Sequence, residues 1–295
     1  MLKIKEKSIK SKKRLLILGS SGLLGNYLFK TFKKSFKVFG SQHEKKNKKF
    51  LNLDILDNEQ TTEIIKKINP DIIINCIGYT DVIKCDLNKI LAIKLNTLSV
   101  YNIFSSLFSL KKKTHLIHIS TDQIYNNKNY LKKNFETNVN PLNFYGITKM
   151  LGENQISNYE KKTIIRTNFF GKSTCSKNSY SDFLISNLKR KKKLKIPKNV
   201  YFNPVSMNFL SRLLIKIISH KIYGTYNIGA NDGISKYNFA KKLAKRKKLS
   251  TKNIIPFKSI EKIHKKPLGT IMSVQKIQKK INFHNPKIED FIKEI

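Results

Sequence analysis

Several things that would mark particular functions are scarce in this chain. Its only cysteines are Cys76, Cys85 and Cys175, and no two stand in a CxxC spacing. That excludes a zinc framework and a disulfide scaffold, and it leaves a reducing cytoplasm as the expected compartment. Carboxylates are sparse, 19 against 59 Lys and Arg, and they do not cluster, so no metal site is expected. Arginine is confined to Arg14, Arg166, Arg190, Arg212 and Arg246, and the net charge of +40 is therefore almost all lysine. Base readers and phosphate clamps lean on arginine forks. These lysines are scattered through the whole chain, and the runs around 189–193 and 241–248 read as solvated faces. A specific nucleic-acid partner is not expected; any such binding would be weak and steeply salt-dependent. The basic start, 1–14, lacks the apolar core of a secretory signal. No apolar run looks long enough to span a bilayer, no membrane association is expected, and no internal repeat is visible.

Against those absences stands a large apolar content, 40% of 295 residues, enough for a substantial core. Leu15 to Leu18 (LLIL), Asp71 to Asn75 (DIIIN) and His115 to Ser120 (HLIHIS) read as buried parallel strands. Lys37 to Phe39 and Thr163 to Arg166 read as further strands. Helical spacing covers Leu23 to Lys33, Gln60 to Ile68, Lys89 to Leu110 and Asn143 to Asn158. Strands alternating with helices at this pitch predict an α/β fold with a doubly wound parallel Rossmann-type sheet. The pattern loosens after Gly171, where a helix over Ser206 to Ser219, a strand at Tyr226 to Ile228 and a Ser235-capped helix to Lys247 stand out. The expected organisation is a basic extension (1–13), a cofactor-binding domain (14–170) and a smaller α/β substrate lobe (171–295). Segments near 224–247 would return to the first domain.

Three elements carry chemistry. Gly19-Ser20-Ser21-Gly22-Leu23-Leu24-Gly25 follows the LLIL strand and opens a helix. Its GxxGxxG spacing lets the backbone turn tightly and approach a pyrophosphate at the helix N-terminus. Tyr145 and Lys149 are one helical turn apart on one face. A lysine so placed is expected to lower the tyrosine's pKa and make it a usable proton donor. Ser120-Thr121-Asp122 closes the HLIHIS strand, at the sheet edge where ligands bind, and Thr121 would donate a hydrogen bond to a substrate carbonyl. Each element also has a plainer reading: a strand-to-helix turn, an exposed helix face in a lysine-rich chain, and a turn cap.

Together these motifs resemble the extended short-chain dehydrogenases/reductases, and within them the dTDP-4-dehydrorhamnose reductase group. The resemblance runs through GSSGLLG, NPDIIINCIGYTDVIKCD, STDQIY and NPLNFYGITKMLGE to IIRTNFFG, NPVS, GTYNIG and KPLGTIMS. It implies Tyr145 as general acid, Lys149 on the nicotinamide ribose, and Thr121 completing the triad. It implies Gly19, Gly22 and Gly25 as the pyrophosphate loop, with Leu23 and Leu24 offering backbone N–H groups. Asp54 and Ile55 would wrap the adenine, and Cys76, Ile77, Gly78 and Thr80 would flank the cofactor. Lys84 would stand at the active-site edge, and Asn96 on the long helix would prop up the site. Asp122, Arg166, Asn168, Asn203 and Ser206 would lie on the substrate side.

Departures from the group are Gln123-Ile124-Tyr125 in place of Tyr-Val-Phe, Lys266-Pro267 in place of Arg-Pro, and the absence of tryptophan. The second strand ends in Phe39-Gly40-Ser41-Gln42-His43 with no carboxylate before Glu44, and Lys45 and Lys46 follow. This favours NADPH over NADH, since an NAD site wants an acid on the ribose 2′-OH. The implied substrate is a nucleotide-linked sugar, the implied reaction reduction of its C4 ketone, and a homodimer is compatible with the resemblance. The alternatives are an epimerase or dehydratase of the same superfamily, which would retain its NAD, and a non-catalytic cofactor-binding regulatory subunit.

Overall fold

A computed structural model describes residues 12–44, 47–127, 129, 131, 133–260, 266–283 and 285–295. The basic extension up to residue 11, and Lys45 and Lys46, lie outside the described residues.

The first half builds the sheet. β1 (Arg14–Leu18), β2 (Lys37–Gln42), β3 (Leu51–Asn52), β4 (Ile72–Asn75), β5 (His115–Thr121) and β6 (Lys162–Thr167) are joined at one edge by the strand Gly224–Ile228. The order from that edge is Gly224–Ile228, β6, β5, β4, β1, β2, β3, and every pair is parallel. The order reverses between β1 and β4, which opens a crevice at the carboxyl ends of those two strands. The apolar runs alternate between two cores. Leu15 and Ile17 face a cluster that continues into the C-terminal half through Leu210, Phe239 and Phe291. Leu16 and Leu18 face Ile65, Val100, Ile103 and Leu107 on the opposite side. Burial on both faces is what requires a strand to be apolar throughout.

Six helices of the first half position the site. α1 (Leu23–Phe32) and α2 (Asn58–Ile68) follow β1 and β3. α3 (Val82–Leu87) leads through Asn88 into α4 (Lys89–Ile93), a π-helical segment at Lys94–Leu98, and α5 (Ser99–Ser109). α6 (Phe144–Gln155) lies against that π segment. The continuous helix Lys89–Ser109 corrects the expectation about bilayer-length runs. By length and composition alone it qualifies, with 21 residues and an 18-residue window of mean hydropathy 1.2, half of which is buried in the protein. Polar residues such as Asn96 and Asn102 interrupt its apolar letters and hide the run, and both are tied down inside the fold.

The second half is held by short paired strands: Phe169–Phe170 with Val205–Ser206, Tyr201–Phe202 with Ile234–Ser235, and Leu194–Pro197 with Ile254–Phe257. Helices Tyr180–Lys189, Met207–Ser219 and Lys236–Arg246 pack among them. The first begins in a capping box made by Ser179 and Asp182.

His115, at the start of β5, gives the fold an acid-sensitive point. It is buried, its Nε2 lies 2.7 Å from Thr163 Oγ1, and burial with Lys13 and Lys161 nearby pushes its pKa down to about 4. The unfolded chain takes up this proton below about pH 6.5 and the folded chain does not, so stability falls as pH drops from 6.5 toward 4. We expect a loss of about 2 kcal/mol between pH 7 and pH 5 from this residue. Urea unfolding of the wild type and of His115→Gln at both pH values checks it; equal losses in the two proteins would remove His115 as the cause.

Candidate active site

The glycine loop shapes the floor of the crevice. Gly19 turns the chain out of β1 with φ at +79°, a left-handed conformation that side chains disfavour. A Cβ on Gly25 would run into the Gly19 carbonyl, so glycine there lets α1 start tight against the turn. α1 itself begins at Gly22 without a side-chain cap. By contrast α2, α3, α4 and α6 are capped by Asp57, Asp81, Asn88 and Asn143. The uncapped first turn borders a cleft of about 540 Å³ through Gly22, Leu23 and Leu24. Free N–H groups at the positive end of a helix dipole suit a phosphate.

Across the cleft stand Tyr145 and Lys149 of α6, both buried. Asn143 caps this helix through Gly146 N at 2.8 Å. The Thr121 side chain hydrogen-bonds to Tyr145 and favours the phenolate, but burial dominates and, with Asp122 and Cys85 nearby, raises the phenol well above its ordinary value. The Lys149 amine makes its hydrogen bonds elsewhere than to Tyr145 in the ligand-free cleft. Its Nζ turns to the Ile119 carbonyl at 2.7 Å and approaches His118 Nε2 at 3.2 Å. The expected net lowering of the tyrosine is therefore corrected: same-face spacing brought the two residues to one cleft, but β5 captured the amine and burial raises the phenol. Burial pushes Lys149 down to about 8, with Glu153 and Cys76 opposing. Tyr145 thus holds its proton at neutral pH, as an acid must before transfer.

The π-helical segment supports the far wall. Asn96 accepts from Tyr79 N at 2.8 Å and donates to Tyr79 O and Thr148 Oγ1, both at 3.0 Å. One amide thereby ties the loop after β4 to α6. Single π turns inside α-helices are a common device at functional sites.

A second cavity of about 540 Å³ opens into the C-terminal half. It shares Val82, Asp122, Gln123, Asn168 and Tyr180 with the cleft, so the two adjoin. Phe183, Phe202 and Phe257 form apolar parts of its wall, and Lys195, Lys236, Lys258 and Lys266 charged parts. Asp122 is buried at the junction, accepting from Asn168 Nδ2 at 3.0 Å and Thr270 Oγ1 at 2.8 Å. Burial raises its pKa against those donors. Lys236 is lowered by burial and by Lys266, with Asp122 opposing.

The predicted site residues divide accordingly. Cys76, Ile77, Gly78 and Thr80 line the cleft with Leu23 and Leu24, and so do Thr121, Asp122, Tyr145, Lys149 and Asn168. Gly19 and Gly25 shape the loop beneath. Asp54 sits after β3, holding Leu56 N at 3.0 Å, with its carboxylate 3.8 Å from the His43 ring. Ile55 packs its side chain into the core. Lys84 is exposed on α3. Arg166 is buried in an ion pair with Glu153 at 2.6 Å. Asn203 is buried, holding Met272 N and the Ala230 carbonyl. Ser206 caps the Met207–Ser219 helix at Phe209 N. None of Arg166, Asn203 and Ser206 lines either cavity. Sequence reasoning passed over His118, Gln123, Lys236 and Thr270. Only Gln123 and Lys236 had a visible signal, the first beside the Ser-Thr-Asp turn and the second behind the Ser235 cap.

A model of the family described as "RmlD substrate binding domain" matches residues 13–295. The chain is 27% identical over 235 residues to the dTDP-4-dehydrorhamnose reductase of Aggregatibacter actinomycetemcomitans, covering 77% of this chain and 76% of that protein. It is 29% identical over 149 residues to the methionine adenosyltransferase 2 subunit beta of Rattus norvegicus, covering 49% and 42%. Its fold superimposes on the crystal structure of dTDP-4-dehydrorhamnose reductase from Bacillus anthracis in complex with NADP with a TM-score of 0.86, at 24% identity, covering 96% and 98% of the two chains.

Proposed function

We propose, for a chain that belongs to the RmlD substrate binding domain family and is an oxidoreductase of the extended short-chain dehydrogenase/reductase type, reduction of the C4 ketone of a nucleotide-linked 6-deoxy sugar. The observation that carries this reading is that the two cavities adjoin, with Asp122 lining both. One presents a proton donor beside an uncapped helix N-terminus; the other is walled with aromatics and lysines, as an anionic nucleotide requires.

The cleft fits a nicotinamide cofactor on two counts. α1 leaves its first turn uncapped beside the cleft, and Thr167 Oγ1, also in the lining, is a buried hydroxyl without a protein partner. A reduced nicotinamide bound there would supply hydride to the sugar carbon. The Leu23 and Leu24 N–H groups would hold the pyrophosphate, and Lys149 would hold the nicotinamide ribose. Thr121 orients the carbonyl, and Tyr145 gives its hydroxyl proton to the carbonyl oxygen. Around the substrate, Asn168 and Asp122 contact the sugar, and Lys195, Lys236 and Lys266 neutralise the diphosphate. We assign NADPH as the preferred donor: β2 ends in Ser41 and Gln42 and is followed by His43, with no carboxylate among these three residues to repel a 2′-phosphate.

Steady oxidation of NADPH with a panel of nucleotide-linked 4-keto-6-deoxy sugars tests this. We expect turnover with at least one, and faster with NADPH than with NADH. Conversion of a nucleotide sugar without net NADPH oxidation would instead establish an epimerase or dehydratase. Cofactor binding with no turnover on any sugar would favour the regulatory-subunit reading, for which the likeness to the rat subunit over half the chain is the supporting observation.

A further inference from the structure

Beneath Lys149 lies a chain of buried polar groups that no part of the proposed proton transfer uses. Asn75 ends β4 and His118 stands opposite it in the register of β5, both fully buried. The polarity of the chain follows from its first member. The Ile77 backbone N–H, 3.0 Å from Asn75 Oδ1, can only donate, so that atom is the oxygen. The Asn75 amide nitrogen then faces His118 Nδ1 at 3.2 Å and must donate to it. A neutral imidazole that accepts at Nδ1 carries its proton on Nε2. That Nε2–H points at Lys149 Nζ, 3.2 Å away. An ammonium has no lone pair, so a charged Lys149 would set two donors against each other. A neutral amine accepts from His118 and still donates to the Ile119 carbonyl at 2.7 Å.

We propose that Asn75 and His118 are positioning residues that form a hydrogen-bond chain of fixed direction, which favours the neutral amine of Lys149 over the ammonium in the ligand-free cleft. The groups around the amine leave this direction intact. From β5, His118 is held neutral by burial, its pKa well below the ordinary value. From the end of β4, burial pushes the Cys76 thiol up to about 12, so it carries no charge. On α6, Tyr145 stays protonated, and Glu153 is engaged by Arg166 of β6. Glu153 first, and then Cys76, favour the ammonium, and Lys149 still falls to about 8.

The consequence rests on the proposed reductase reading. A charged Lys149 favours the phenolate left when Tyr145 gives up its proton, so reduction should fade as pH rises through about 8. Asn75→Asp keeps the shape and the acceptor for Ile77 N–H but reverses the chain. The carboxylate accepts from Nδ1–H, Nε2 turns a lone pair toward the amine, and the ammonium is favoured.

The first test needs no substrate. Long-range nitrogen–proton NMR of the imidazoles, with the His118 signal identified by its loss in His118→Leu, should show the Nε2–H tautomer from pH 6 to 9. In Asn75→Asp it should show the Nδ1–H tautomer. An Nδ1–H tautomer in the wild type, or the same tautomer in both proteins, overturns the proposal. The second test is the pH profile of kcat/KM for NADPH oxidation, whose midpoint should rise by about one unit or more in Asn75→Asp. The shift should vanish when His118→Leu is added. A fall in kcat with the midpoint unmoved, or a shift that survives the double change, also overturns it. If the tautomers behave as expected and no keto-sugar is reduced, the reductase reading fails while the chain of hydrogen bonds stands.

Discussion

Tyr145→Phe should reduce keto-sugar turnover by about 10²- to 10⁴-fold, the usual contribution of a positioned general acid, and leave NADPH binding in place. The substitution removes one hydroxyl. The ring keeps its packing against Cys85 and Ala92, so the cleft should hold its shape. The loss should fall on kcat, because the proton is needed in the transition state and not for binding. Thr121 does not replace it, since an alcohol is a far weaker acid than a phenol. Single-turnover reduction with enzyme in excess, alongside NADPH titration, measures the two quantities separately. Turnover within a few-fold of the wild type would remove Tyr145 from the role of acid.

What made Tyr145 findable in the sequence also explains what stayed hidden. LLIL, DIIIN and HLIHIS are apolar throughout because their strands are buried on both faces, and that periodicity is legible in a few letters. The glycine loop and the Tyr–Lys turn are local patterns, with every partner within a few residues. The partner of Lys149 is not local. His118 comes from a strand 31 residues earlier, and sequence spacing alone cannot tell whether an amine turns to a phenol on its own helix or to an imidazole below it. The second cavity is hidden for another reason. Its walls include Tyr201–Phe202 and Leu194–Pro197, strands of two and four residues, too short to show a period. The helix Tyr180–Lys189 could have been found from Ser179 and Asp182, a capping-box spacing in plain view.

Arg166 shows the limit of carrying roles over by position, and its replacement should strongly destabilise the fold. The family resemblance sets Arg166 on the substrate side, and its place at the carboxyl half of β6 agrees with that. Arg166 lines neither cavity, however. Nε and Nη2 grip the Glu153 carboxylate at 2.6–3.1 Å, and Nη1 reaches the Tyr125 hydroxyl at 2.9 Å and the Glu136 carbonyl at 2.7 Å. Glu153 also accepts from Ser120 on β5, and Tyr125 donates to Asn227 on the edge strand at 2.7 Å. One cation thus joins β5, β6, α6 and the strand from the C-terminal half. Arg166→Leu would leave the Glu153 carboxylate buried with no countercharge at contact, a change that typically destabilises by about 3–5 kcal/mol. Adding Glu153→Gln removes the stranded charge and should recover part of that loss, because much of the penalty belongs to the unpaired carboxylate and not to the missing bond. Urea unfolding of the two single variants and the double variant measures the coupling. If Arg166→Leu unfolded like the wild type while KM for the nucleotide sugar rose, the residue would be serving the substrate and the ion pair would be incidental. The geometry predicts the reverse: a large loss of stability, with KM little changed at temperatures where the variant remains folded.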